Sequence, residues 1–205
     1  SAGNPRHTVI AANRLGQKAV VRMPRGSSEI RRQNIAKENA EVTIEDLNYD
    51  ECVRLAASQA KKDPNGVIIQ DTAWRGYTEI PSFIMQGYGT LSIEADRQLL
   101  ADGCECPTHI FIQAGVGSLA ASVVGYFANK YKGHEPIMCV VEAGAADCLY
   151  RSAMRKDGKT SVVKGKLDTI MAGLACGEPN TIGWDILRNH AAGFAGCPDS
   201  VGASG

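Results

Sequence analysis

The chain has 205 residues, of which 44% are apolar and 21% are charged, a composition typical of globular proteins that bury a core. Its 22 lysines and arginines balance 22 aspartates and glutamates, so the charge does not indicate a nucleic-acid or strongly anionic partner. With no apolar run approaching the roughly 18 residues of a membrane span and no recognisable signal peptide, we expect a cytoplasmic protein without a membrane partner.

The seven cysteines are scattered without the spacing of a zinc finger. Cys104 and Cys106 form a "CEC" pair, but no second ligand pair accompanies them. We therefore predict no metal site and, in a cytoplasmic protein, mostly reduced thiols.

Strand and helix signals alternate in the first third of the chain. Thr8–Leu15 is weakly helical, and "KAVVRMP" predicts a strand that ends at Pro24. "SSEIRRQNIAKENA" predicts a serine-capped helix, "EVTIED" a strand and "YDECVRLAASQAKK" a helix with one apolar face. "GVIIQ", residues 66–70, predicts a third strand. Three strands separated by helices indicate a parallel sheet covered on both faces, because parallel neighbours need crossover connections.

A second series follows the polar and aromatic stretch "QDTAWRGYTEIP". It predicts a long helix with Pro81 at its start, a strand "THIFIQ", a helix "GSLAASVVGYFANKY" and a strand "PIMCVVEA". "AADCLYRSAMRKDG", "KLDTIMAGLA" and "GWDILRNHAAGF" are expected to be helical or loop-like. The interruption predicts a smaller α/β lobe over residues 1–75 and a larger α/β lobe over residues 76–205.

The junction "AGVGSLA" joins a predicted strand to a predicted helix, with Gly115, Gly117 and Ser118 at the turn. A helix N-terminus presents unpaired N–H groups and the positive end of its dipole, so it can bind an anion such as phosphate, and the hydroxyl of Ser118 is expected to add a donor to that anion. The turn has neither the GxGxxG pattern of dinucleotide sites nor the lysine of a P-loop. Two interpretations stay open, a phosphate site and a tight turn whose glycines serve packing.

Four longer blocks are more specific than this turn. They read "QDTAWRGYTEIPSFIMQGYGTL", "FIQAGVGSLAASVVGYFAN", "VEAGAADCLYRS" and "IMAGLACGEPNTIGWDILRN". Together they resemble the diaminopropionate ammonia-lyase family, a group of pyridoxal-phosphate enzymes with the tryptophan synthase β-like fold, called fold type II. The resemblance runs from about residue 1 to residue 200. It implies an α/β fold of two lobes, each with mostly parallel sheet flanked by helices.

The resemblance also implies roles for individual residues. The cofactor phosphate would be held by the glycine-rich loop, which comprises Gly115, Val116, Gly117, Ser118 and Leu119. Asn4, in the segment "SAGN", would lie beside the hydroxyl of the cofactor ring. Asp71 matches the carboxylate that acts as base at the substrate α-carbon, although the residues alone favour a helix or turn cap. A disulfide between Cys148 and Cys176 is implied as well, which would be unusual in a cytosolic protein.

The activity implied by the resemblance is a β-elimination that converts 2,3-diaminopropionate to pyruvate and ammonia. In this chemistry a lysine holds pyridoxal 5'-phosphate as a Schiff base, and a carboxylate removes the α-proton of the amino-acid substrate. The family further implies a homodimer.

The chain departs from the family pattern at three places. The Schiff-base lysine of the fold lies upstream of "SAGN", and its role is not transferred to Lys18. Ala2 stands where the family has an aspartate thought to serve the opposite substrate enantiomer, and Pro5 and Arg6 replace a His-Gly pair. The family's glycine-rich C-terminal segment is absent from these 205 residues.

These departures leave several interpretations open. The chain is either the ordered part of a longer enzyme or a truncated chain that is inactive alone. Two other functions stay possible, another fold type II enzyme resembling serine/threonine dehydratases, and a non-catalytic remnant that binds a phosphate-bearing ligand.

Overall fold

The computed structural model describes residues 5–204. They form two compact units, residues 5–70 and residues 71–204, and the division falls at the start of the "QDTAWRGYTEIP" stretch. The segment "SAGN", with the predicted ring-binding Asn4 and the substituted Ala2, lies outside the described residues.

The first unit is a small α/β layer of two parallel strands and three helices. Ala19 pairs with Ala40 at the start of the two strands, and a small apolar core lies beneath them. The third helix begins at a capping box, in which Asn48 and Glu51 accept each other's backbone N–H groups. The elements are α1 Pro5–Arg14, β1 Ala19–Met23, α2 Glu29–Ala36, β2 Ala40–Ile44 and α3 Tyr49–Lys62.

The predicted third strand at residues 66–70 is wrong. This segment has irregular backbone, and the sheet of the first unit consists of β1 and β2. Val67 is 69% exposed and Ile69 is 46% exposed, so neither side chain is buried as a core strand requires. The apolar composition of the segment favours a strand, but composition alone does not determine whether a segment joins a ladder.

The second unit has a three-stranded parallel sheet in the order β3-β4-β5. Its elements are α4 Glu79–Ala101, β3 His109–Gln113, α5 Ser118–Lys130, β4 Ile137–Ala143, α6 Cys148–Ala153, α7 Thr181–His190, β5 Gly193–Cys197 and α8 Asp199–Gly202. Short 3-10 turns at Gly144–Ala146 and Ala172–Leu174 connect some of them. None of the helices between residues 5 and 204 is both long and apolar enough to span a membrane.

Strand β5 was not predicted. The segment "GWDILRNHAAGF" was expected to be helical or loop-like, and α7 indeed ends at His190, but the next residues pair with β4 from Cys139 opposite Gly193 onwards. Glycine and alanine have low intrinsic strand propensity, so pairing with β4 rather than composition determines this element.

Helix α5 is the centre of the second unit. It packs against α4 and α7, and Ala120, Ala121 and Val124 on it are fully buried. It begins directly beyond the carboxyl end of β3, at the sheet edge where β4 also ends. Ligands of open parallel sheets bind at that edge, so the fold places the predicted strand–turn–helix junction at the position expected for a site.

Candidate active site

The turn between β3 and α5 requires a glycine at position 117. Gly117 has φ of +97° and ψ of 0° and is the N-cap of α5, a left-handed conformation that L-residues with a Cβ adopt at a cost. A Cβ at this position would lie 3.1 Å from Cδ1 of Leu187 and 3.2 Å from Cδ1 of Leu149. Both the backbone conformation and the surrounding space therefore disfavour a larger residue.

The backbone N–H groups of residues 115–119 face no protein acceptor within the described part of the chain. The hydrogen bonds of α5 start with the Ala121 N–H, which donates to the Gly117 carbonyl over 2.8 Å. These residues line a small concavity together with Asp71. Free N–H groups at the positive end of a helix dipole form a suitable cradle for a phosphate group.

Two cysteines lie against this turn. The Cys148 thiol donates to the Gly115 carbonyl over 3.8 Å, and a Cβ at Gly115 would lie 3.0 Å from Sγ of Cys176. Both cysteines are buried, and the structure joins neither of them in a disulfide. The disulfide implied by the resemblance is therefore not formed in this structure, and the two thiols pack around Gly115 instead.

Asp71 is a buried carboxylate beside the same turn. Its Oδ2 accepts a hydrogen bond of 2.9 Å from the hydroxyl of Tyr88 on helix α4. Its backbone carbonyl accepts two more bonds of 2.9 Å, from Oγ of Ser118 and from Nδ2 of Asn180. Thr78 is the N-cap of α4, so Asp71 does not cap the helix that follows it.

The hydroxyl of Ser118 has a different role from the one expected. We predicted that it would donate to the anion, whereas in the structure it donates to the Asp71 carbonyl and accepts from Asn180 over 2.7 Å. Ser118 therefore presents only its backbone N–H to the concavity. Its side chain connects the turn to Asp71.

Tyr88 and Asn180 were not identified from the sequence. Both stand in the blocks that carry the family resemblance, Tyr88 in "IMQGYGTL" and Asn180 in "GEPN". Asn180 is fully buried, and its Oδ1 caps α7 by accepting the N–H groups of Ile182 and Gly183 over 3.0 Å each. Their place in these family-specific blocks is the signal in the sequence that could have indicated them.

Glu142 is a second buried carboxylate, located near the end of β4. It accepts the backbone N–H groups of Leu149 over 2.8 Å and Tyr150 over 2.6 Å. Burial raises the pKa of this carboxyl to about 7, against the opposing effect of the two N–H groups. Glu142 thus holds the first turn of α6 and, with it, Cys148 against the turn at Gly115.

No group of three metal-binding side chains assembles anywhere among residues 5–204. The concavity is lined by the backbone N–H donors of the turn and by the carboxylate of Asp71, and the N–H donors suit an anion such as phosphate.

Comparison with known proteins defines the class to which the chain belongs. Residues 6–204 match the sequence profile of the family described as "Pyridoxal-phosphate dependent enzyme". The chain therefore belongs to the family of pyridoxal-phosphate-dependent enzymes, and its parallel sheets flanked by helices confirm the predicted fold type II architecture. The cofactor of this family is pyridoxal phosphate.

Within that family, the chain is similar to diaminopropionate ammonia-lyases, as the sequence blocks predicted. It is 53% identical over 195 residues to the enzyme of Salmonella typhimurium and 48% identical to that of Escherichia coli K12. Each alignment covers 95% of this chain but 48% of the relative, so the chain spans about half the length of these curated relatives.

Solved structures agree with this placement. The holo diaminopropionate ammonia-lyase from Escherichia coli superimposes with a TM-score of 0.87 at 47% identity, covering 97% of this chain and 48% of that structure. The processed form of threonine deaminase isoform 2 from Solanum lycopersicum superimposes with a TM-score of 0.74 over 97% of this chain and 50% of that structure. At 22% identity, the second likeness concerns the fold alone.

Proposed function

We propose that this chain provides the phosphate cradle and the α-carbon base of a pyridoxal-phosphate-dependent lyase that converts 2,3-diaminopropionate to pyruvate and ammonia. One observation carries the proposal: a buried carboxylate, Asp71, lines the same concavity as the free backbone N–H groups at the start of α5. The similarity to diaminopropionate ammonia-lyases at 53% and 48% identity supports the choice of substrate.

The cradle would hold the cofactor phosphate through backbone groups alone. The N–H groups of Gly115, Val116, Gly117, Ser118 and Leu119 are the donors, and the α5 dipole adds partial positive charge where they converge. Gly117 allows the chain to enter the helix at this angle, and Gly115 allows Cys176 to pack directly behind the turn. The fold brings these donors together before the cofactor binds, and the concavity of about 10 Å³ has to widen to admit a phosphate.

Asp71 would accept the α-proton of the substrate. When bound, pyridoxal phosphate supplies an electron sink for the charge that proton removal leaves at the α-carbon. The Tyr88 hydroxyl holds one carboxylate oxygen of Asp71, and two further bonds hold its backbone carbonyl. The base is therefore positioned by three hydrogen bonds before any substrate arrives, as efficient proton transfer requires.

The role of the cofactor-bearing lysine is assigned to no residue of this chain. Lys18 lies in the first unit just before β1, and its ammonium pairs with Glu41 over 3.0 Å. Contact of Asn4 with the cofactor ring, a homodimeric assembly and a cytoplasmic location all stay predictions.

A second candidate function is the dehydration of threonine or serine. The biosynthetic threonine dehydratase of Solanum lycopersicum is 31% identical over 147 residues, an alignment that covers 67% of this chain and 22% of that protein. Both candidates use the same cradle, so the substrate assay rather than cofactor binding separates them. A third candidate, a non-catalytic remnant, would bind phosphate without turnover.

Cofactor binding is tested first with the 205-residue chain. Titration with pyridoxal 5'-phosphate, followed by NMR of the backbone amides, is expected to shift the signals of residues 115–119. Pyridoxal, which lacks the phosphate, is the matched control and is expected to bind much more weakly. Equal binding of the two compounds would show that the cradle does not recognise phosphate.

Turnover is tested with the full-length gene product. Pyruvate is expected to form faster from 2,3-diaminopropionate than from L-threonine or L-serine, and Asp71→Asn is expected to lower kcat by about 10²- to 10⁴-fold. Faster turnover of threonine would favour the dehydratase. Phosphate binding without turnover of any of the three would favour the remnant.

A further inference from the structure

We infer that Asn180 is a positioning residue that holds the base Asp71 at a fixed position relative to the phosphate cradle. This inference rests on the proposed function, because it takes Asp71 as the base and the start of α5 as the cradle. It concerns how the chain brings these two parts together, although they are far apart in the sequence.

Asp71 lies in irregular backbone ahead of α4, so the hydrogen bonding of a regular element does not fix its position. Its carbonyl oxygen is held instead by two donors, Oγ of Ser118 and Nδ2 of Asn180, each at 2.9 Å. The same Nδ2 group donates to Oγ of Ser118 over 2.7 Å. The three groups therefore form a closed triangle, and all three residues are buried.

Asn180 also holds the cradle from behind. Its backbone N–H donates to the Val116 carbonyl over 2.8 Å, and its Oδ1 accepts two N–H groups at the start of α7. One residue thus joins the base, two residues of the cradle and the first turn of a packed helix. A shift of Asn180 would move the base relative to the cofactor phosphate.

The chemistry of the amide distinguishes this role from simple helix capping. Aspartate, serine and threonine also cap helices, because a cap requires only an acceptor oxygen. Only an amide combines that acceptor with the two N–H bonds that reach Asp71 and Ser118. Asn180→Asp therefore keeps the shape and the acceptor of the cap and removes the donors.

The test compares Asn180→Asp with the wild type in the full-length gene product, using 2,3-diaminopropionate that carries either hydrogen or deuterium at the α-carbon. We expect kcat to fall about 10- to 100-fold with little change in KM, because a displaced base slows proton removal. We also expect the deuterium isotope effect on kcat to rise. A loss of folded enzyme would lower kcat without changing the isotope effect, so this readout separates positioning from stability.

Asn48→Asp is the matched control. Asn48 caps α3 in the first unit, accepts the Glu51 N–H over 2.9 Å and has no part in the proposed site. The same substitution there is expected to leave kcat and the isotope effect unchanged. If Asn180→Asp does not fold, Ser118→Ala removes two sides of the triangle, keeps the α7 cap and is expected to raise the isotope effect.

An unchanged isotope effect in the folded Asn180→Asp variant, or in Ser118→Ala if the first does not fold, would overturn the inference. That result would leave the proposed function intact, provided that the wild type releases pyruvate from 2,3-diaminopropionate. Absence of turnover in the wild type would instead refute the proposed function, and the inference with it.

Discussion

The phenol of Tyr88 and the carboxylate of Asp71 form a hydrogen bond of 2.9 Å between a helix and the irregular segment before it. Tyr88 lies within α4, more than two turns after its start, so the hydroxyl is fixed by a packed helix. This bond orients the side chain of Asp71, whereas Ser118 and Asn180 hold its backbone.

Removing that hydroxyl tests its contribution to proton transfer. Tyr88→Phe is expected to lower kcat for pyruvate release about 10- to 100-fold, since a hydrogen bond to a charged group contributes about 1.5–3 kcal/mol. Tyr150→Phe removes a phenol hydroxyl from a side chain that is 37% exposed and is expected to leave kcat unchanged. Equal kcat values for Tyr88→Phe and the wild type would show that the bond does not position the base.

Gly117→Ala is expected to abolish phosphate-dependent cofactor binding and to lower the free energy of unfolding by about 2–4 kcal/mol. The added Cβ would be strained by the φ of +97° and would press against Leu187 and Leu149. Gly133→Ala is the matched control, because Gly133 has φ of +92° and a Cβ added there would meet no atom within 4 Å. It is expected to cost about 1–2 kcal/mol and to leave cofactor affinity unchanged. Calorimetry measures the affinity for the cofactor, and urea unfolding measures the free energy of unfolding.

Tight cofactor binding by Gly117→Ala would contradict the assignment of the cradle. A loss of affinity in Gly133→Ala as large as in Gly117→Ala would show that general destabilisation, and not the shape of the cradle, controls binding.

The buried carboxyl of Glu142 predicts a pH dependence of stability. Its pKa of about 7 in the folded protein lies above the ordinary 4.5, so the folded state binds more protons than the unfolded chain between these pH values. Its contribution to stability is therefore fully present below pH 4.5 and is lost as the pH rises through 7. Glu142→Gln is expected to reduce this fall in the free energy of unfolding, which is on the order of 1–3 kcal/mol. Parallel urea-unfolding curves for the two proteins from pH 4.5 to 7.5 would contradict the prediction.

The carboxyl of Asp96 is expected to give stability the opposite dependence on pH. It is buried on α4 and accepts hydrogen bonds from the hydroxyls of Tyr131 over 2.6 Å and Tyr126 over 3.0 Å. The bond from Tyr131 lowers the pKa of Asp96 by more than burial raises it, so its contribution is present above pH 3.8 and is lost as the pH falls through its folded-state pKa. Asp96→Asn is expected to lower the free energy of unfolding at pH 7 by about 1.5–3 kcal/mol.

The control for this change is Asp185→Asn. Asp185 pairs with Arg188 over 3.1 Å, but its side chain is 66% exposed, so its loss is expected to cost less than about 0.5 kcal/mol. The cost of Asp96→Asn is expected to shrink as the pH falls below 3.8 and through the lowered folded-state pKa of Asp96, because the wild-type carboxyl then becomes protonated as well. A cost that is the same at acidic and neutral pH would show that packing, and not the charge, accounts for it.

The sequence alone determined the features that depend on neighbouring residues. The helix at α5, the strand before it and the glycine turn between them follow from apolar periodicity and from the lack of a side chain at Gly117, which are local properties. The four long blocks also sufficed to identify the family. A family can be identified from the order of residues in such blocks, without knowledge of their contacts in the fold.

Tertiary structure alone decided the features that depend on distant partners. Residues 66–70 look like a strand and are not one, whereas Gly193–Cys197 does not look like a strand and pairs with β4. Asn180 donates to the carbonyl of Asp71 across 109 positions of the chain. Strand pairing and buried hydrogen bonds depend on which groups folding brings within about 3 Å of each other, and no pattern of neighbouring residues encodes that distance.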